Sequence, residues 1–120
     1  MAVGPSGSEP EGRGQVYIPD PIIRLGRMKF NDTASGSFFV VNGSNQTVTL
    51  DQLVKSCGCT TAELGARELP AGGRAEVKFS IQSGTTRGPR SESIGVTFST
   101  GAGRVLGPII AKILFTPTGI

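Results

Sequence analysis

Residues 74–81, Arg-Ala-Glu-Val-Lys-Phe-Ser-Ile, constrain the fold of this chain more than any other stretch, because they alternate without a fault. Ala75, Val77, Phe79 and Ile81 fall on one side, Glu76, Lys78 and Ser80 on the other. A period of two becomes an apolar stripe only on an extended strand with one buried face. The same alternation marks residues 47–53, with Val48 and Leu50 inward, Thr47, Thr49 and Asp51 outward, and Leu53 a further inward candidate. It marks residues 91–100 as well, with Ile94, Val96 and Phe98 inward. No apolar period of 3.6 persists over three turns, so the chain is expected to be all-β.

The intervening text supplies turns and further strands. Residues 15–30 alternate loosely around Pro19 and Pro21, which predicts an edge strand that bends or changes sheet at Pro-Asp-Pro, since proline has no N–H for a ladder. Residues 31–36 read as a turn and residues 37–41 (Ser-Phe-Phe-Val-Val) as a central strand. Asn42-Gly43-Ser44-Asn45 is a hairpin signal. Residues 60–64 form a short strand, residues 68–73 a turn around Pro70 and two glycines, residues 82–90 a polar loop, residues 101–103 a turn, and residues 104–115 the last strand, with residues 116–120 as a fraying tail. About seven short strands at such spacings, in a chain with eighteen glycines, eight prolines and seven aromatic residues, predict an antiparallel β-sandwich. Without tryptophan or widely spaced cysteines, aliphatic and Phe packing must hold its core.

The 120 residues suit one domain, placed at residues 15–120, after a Gly, Pro and Ser-rich flexible leader at residues 1–14 that lacks the apolar core of a signal peptide. Apolar runs fall far short of the roughly 20 residues of a spanning helix. The net charge of +3 comes from dispersed residues, with no basic run interleaved with aromatics, which argues against nucleic acid as a partner. With no histidine and no recognisable carboxylate motif, acid–base catalysis finds no machinery, and no cofactor is expected.

Chemistry, if present, concentrates at Ser56-Cys57-Gly58-Cys59-Thr60, which holds the only two cysteines. Two buried apolar side chains at a strand end, with Gly58 required by close backbone packing, is the reading that asks least. A disulfide closing so short a ring is worth only roughly 1.5 kcal/mol and requires the backbone to pinch at Gly58, so it would suit redox or protective use better than stapling. Two thiolates at Cys57 and Cys59 would suit Cu(I), whereas Zn(II) asks for four ligands and would need a dimer. A nucleophilic cysteine would have to rely on Lys55 or an arginine to lower its pKa. The sequence leaves open whether the two sulfurs meet. Three Asn-x-Ser/Thr sites, at Asn31, Asn42 and Asn45, are explained by turn chemistry, and Arg87 and Arg90 by a solvated loop.

The order Ser-Phe-Phe-Val-Val-Asn-Gly-Ser-Asn, then Lys-Ser-Cys-Gly-Cys-Thr, then Leu-Pro-Ala-Gly-Gly-Arg-Ala-Glu-Val-Lys-Phe resembles the bacterial DUF1573 domain over roughly residues 15–115. It departs in having Pro-Ala-Gly-Gly where Pro-Gly before a polar residue is commoner. The resemblance implies an immunoglobulin-like sandwich related to the ASPM/SPD-2/Hydin group, in exported or lipid-anchored bacterial proteins, with no established activity. The expected function is then a non-enzymatic, extracytoplasmic module of the periplasm or cell envelope that binds an unidentified protein through exposed strands or loops. The alternative is a thiol redox or Cu(I)-binding domain built on Cys57 and Cys59.

Overall fold

The computed structural model describes residues 15–101 and 103–118. The predicted leader lies outside them. The described residues form nine strand segments and no helix: β1 (Val16–Tyr17), β2 (Ile22–Met28), β3 (Thr33–Asn42), β4 (Val48–Lys55), β5 (Thr60–Leu64), β6 (Glu68–Leu69), β7 (Arg74–Gln82), β8 (Arg90–Ser99) and β9 (Val105–Pro117). They make a five-stranded sheet, β2-β9-β8-β4-β6, facing a four-stranded one, β1-β3-β7-β5. Two of the nine are two-residue segments, leaving seven strands of five or more residues, as expected.

The alternating stripes meet between the sheets. On β7, Ala75, Val77, Phe79 and Ile81 are buried, and each faces an inward residue of β3 across the ladder, Phe38 opposite Val77 and Val40 opposite Ala75. Gly36 stands opposite Phe79, and a Cβ there would lie 2.7 Å from the ring, so glycine makes room for the aromatic side chain. From the other sheet come Val48, Leu50, Ile94, Val96 and Ile113, each at most 1% exposed and contributing about 1.5–3 kcal/mol by transfer from water.

The chain changes sheet at Pro19-Asp20-Pro21 as predicted: β1 pairs antiparallel with β3, and β2 pairs parallel with β9 in the opposite sheet. Other expectations need correction. Residues 33–36 belong to β3, paired from Thr33 opposite Gln82 onwards, because the ladder to β7 continues to that strand's end. Asn42-Gly43-Ser44-Asn45 does not close a hairpin; it carries the chain from β3 in one sheet to β4 in the other. The Asn42 side chain replaces hairpin pairing there. Residues 116–118 do not fray: β9 extends to Pro117, which is buried, and the Thr118 N–H donates to the Met28 carbonyl at 2.9 Å. Among the described residues no helix is long and apolar enough to cross a membrane.

Candidate functional site

The Cys-Gly-Cys turn crosses one end of the sandwich, joining β4 of the five-stranded sheet to β5 of the four-stranded sheet. On one side the Ser56 N–H donates to the Ser93 carbonyl at 3.0 Å, and on the other the Gln82 N–H donates to the Cys59 carbonyl at 3.0 Å. Between these anchors the Thr60 N–H donates to the Cys57 carbonyl at 3.3 Å, closing a tight turn. The turn brings the Cα atoms of Cys57 and Cys59 to 5.2 Å, and the two sulfurs are bonded to each other.

The core-packing expectation for this pair is corrected in part: Cys59 packs against the core, but the two are not separate buried side chains. Cys57 and Cys59 are half-buried and joined, and Gly58 is exposed with nothing within 4 Å of where a Cβ would sit. Close packing does not require glycine at position 58, and the turn is open on that side, while Cys59 packs against the core. Thr60, in contrast, is buried opposite Ile81 and starts β5.

Two residues that sequence reasoning left out of the site complete it. Glu92 lies on β8 opposite Ile113, on the inward face, and one of its oxygens lies within 4.8 Å of both sulfurs. Ser56 Oγ donates to Glu92 Oε1 at 2.6 Å and accepts from the Ser93 N–H at 2.9 Å. Arg90 Nη2 pairs with Glu92 Oε2 at 2.6 Å, with side chains 25% and 12% exposed respectively, and Arg90 Nη1 donates to the Ser83 carbonyl at 3.0 Å. The same guanidinium lies over the Phe115 ring, 5.1 Å from its centre. A signal was there: carrying the inward alternation of Ile94, Val96 and Phe98 back toward the start of β8 lands on Glu92 and Arg90.

The loop arginines are thus spoken for. Arg90 belongs to β8, and Arg87 donates to the Thr118 carbonyl at 2.8 Å and stacks over Phe30 at 5.6 Å. Lys55 is exposed, and no contact ties it to either sulfur. A metal at Cys57 and Cys59 would need the sulfurs reduced, and Glu92, the third group within reach, is engaged by Ser56 and Arg90. Of the three glycosylation patterns, that at Asn42 is fully buried.

The outer face of the five-stranded sheet carries a second feature. Ile110, Gly95 and Val54 are direct partners across β9, β8 and β4, so they share one face. A Cβ on Gly95 would lie 2.9 Å from Pro108 Cβ, which places the proline over the glycine between the two branched side chains. Ile110 and Val54 are 48% and 47% exposed, and Ile22, opposite Lys112 on the neighbouring β2, is 47% exposed.

Solved structures share this sandwich at low sequence identity. A Vibrio cholerae VesB protease structure superposes with a TM-score of 0.69 at 16% identity, over 85% of this chain but 32% of the protease, so the chain spans about a third of that protein. The human CEP192 ASH / PapD-like domain 7 gives 0.65 at 11% identity, covering 100% of this chain and 98% of that domain. WR4, an MSP family member of Caenorhabditis elegans, gives 0.65 at 12% identity over 84% and 97%. These likenesses concern the immunoglobulin-like fold alone. No curated protein matches the sequence. The family model described as "Protein of unknown function (DUF1573)" matches residues 18–112, most of both sheets and the whole Cys-Gly-Cys turn, and the chain belongs to that family.

Proposed function

We propose that this chain is a non-enzymatic interaction module of an exported or cell-envelope bacterial protein, binding a protein partner through the outer face of its five-stranded sheet. The observation that carries the reading is the apolar surface of Ile110, Val54 and Pro108 over Gly95, extended by Ile22. Outward positions on a solvated sheet face are normally polar, and contiguous exposed apolar side chains there mark contact surfaces. Strands are favoured over loops as the contact, because Arg87 and Arg90 are already engaged within the molecule. The cysteine pairing supports an oxidising compartment, in which disulfides persist.

A photo-crosslinking residue in place of Ile110, in cells that make the protein, is expected to give a discrete protein adduct. The same residue in place of Lys78, exposed on the opposite sheet, should give none. Val54→Lys should abolish the adduct at position 110 while leaving the urea unfolding midpoint nearly unchanged. Adducts of equal pattern from both faces, or none from position 110, would sink the reading.

A further inference from the structure

We propose that Cys57 and Cys59 form a redox-active pair that exchanges two electrons with a thiol reductant, either a small thiol or the dithiol of another protein. Cys59 Sγ is the atom attacked, and Cys57 leaves as thiolate.

The two sulfurs are not equivalent. The Cys59 N–H donates to Cys57 Sγ at 3.0 Å, whereas Cys59 Sγ has the Thr60 hydroxyl at 3.8 Å. A hydrogen bond to a neutral disulfide sulfur is weak, and it strengthens when that sulfur becomes an anion. The donor is already in place, so the charge that develops on Cys57 meets it without reorganisation. Thiols stabilised as thiolates depart faster, which makes Cys57 the leaving group and Cys59 the target.

Access and charge fit the same role. Cys59 is half-buried and packs against the core, and the exposed Gly58, with open space where a Cβ would stand, leaves the solvent side of the turn uncovered to an approaching thiol. Glu92, with an oxygen within 4.8 Å of both sulfurs, opposes negative charge at the pair, and Arg90 at 2.6 Å offsets part of that opposition. The carboxylate therefore restrains the exchange.

In the first step a reductant thiolate bonds to Cys59 Sγ, and the electron pair of the Cys57–Cys59 bond leaves on Cys57 Sγ. A second reductant thiolate then attacks the reductant's sulfur in the mixed disulfide. This releases the Cys59 thiolate and the reductant's own disulfide. The two protons given up by the reductant thiols end on Cys57 and Cys59, and two electrons have passed to the protein.

The test treats the native oxidised protein with glutathione, traps free thiols rapidly with N-ethylmaleimide, and locates the adducts by peptide fragmentation. Singly glutathionylated protein is expected to carry glutathione on Cys59 and maleimide on Cys57, in roughly tenfold excess over the reverse. Glu92→Gln should speed reduction at the same pH by roughly tenfold, as expected for removing a like charge worth about one pKa unit. Single variants provide an independent measure: the thiol left in Cys59→Ser should alkylate faster than that left in Cys57→Ser, with circular dichroism confirming that both are folded. A pair that stays oxidised until the protein is denatured would overturn the proposal. So would glutathione found mainly on Cys57, or equal alkylation rates in the two variants. An unchanged rate in Glu92→Gln would overturn the role given to the carboxylate.

Discussion

At the scale of single residues, Asn42 best shows how one side chain can hold several segments. It is fully buried, and its amide nitrogen donates to the carbonyls of Gln46, Leu69 and Pro70 at 2.7, 2.9 and 3.2 Å. Its Oδ1 accepts from the N–H and hydroxyl of Ser44 at 3.0 and 2.6 Å. One amide thus ties the β3–β4 crossing to the segment of β6 and Pro70. Asn42→Ala leaves several buried polar groups without partners and is expected to cost about 3 kcal/mol. Asn42→Asp should cost more, because a carboxylate would face three carbonyl oxygens. Urea unfolding of both variants checks the size and the order. The sequence read Asn42 as part of a turn, whereas it ends β3, and two of its carbonyl partners, those of Leu69 and Pro70, lie 27 and 28 residues away and leave no local mark.

Among the elements, β4 carries an irregularity that alternation alone does not reveal. Its register to β8 shifts between Leu50 and Leu53, and Asp51 and Gln52 both end exposed. Thr97 Oγ1 accepts from the Gln52 N–H at 3.0 Å, and Arg67 Nη1 donates to the carbonyls of Leu50 and Asp51 at 3.2 and 2.7 Å. The bulge keeps Leu50 and Leu53 both inward although three positions separate them, which an even ladder would forbid. Thr97→Val keeps the shape and removes the acceptor. It should lower stability by about 1 kcal/mol and speed hydrogen exchange at the Gln52 amide at least tenfold, leaving the amides of β7 unaffected. By contrast, the sheet change at Pro19-Asp20-Pro21 was readable in advance, because proline's missing donor interrupts a ladder wherever it falls.

For the whole molecule, the sandwich is held by the two facing apolar stripes, with the Cys57–Cys59 bond as a rim feature. The three-residue ring it closes removes little freedom from the unfolded chain. Reduction of both sulfurs is therefore expected to lower unfolding free energy by no more than roughly 1.5 kcal/mol. By contrast, Ile113→Ala, at a fully buried position on β9, should cost about 3 kcal/mol. Parallel urea titrations with and without reductant check this. A loss on reduction as large as that of Ile113→Ala would make the bond a staple after all.

The sequence by itself determined the all-β class, the inward faces of residues 74–81 and 91–100 and most strand positions, because a buried face imposes its period of two on neighbouring residues of one strand. It also marked the Cys-Gly-Cys turn, whose residues adjoin in the chain. Only the tertiary structure decided which sheet each strand joins, that β2 runs parallel to β9, and that Glu92 and Arg90 stand beside the cysteines. The Ser56 hydroxyl and the Glu92 carboxylate that meet at the site are 36 residues apart. Such meetings follow from which distant strands pair within a sheet, here β4 with β8, a constraint that no window of local propensity contains.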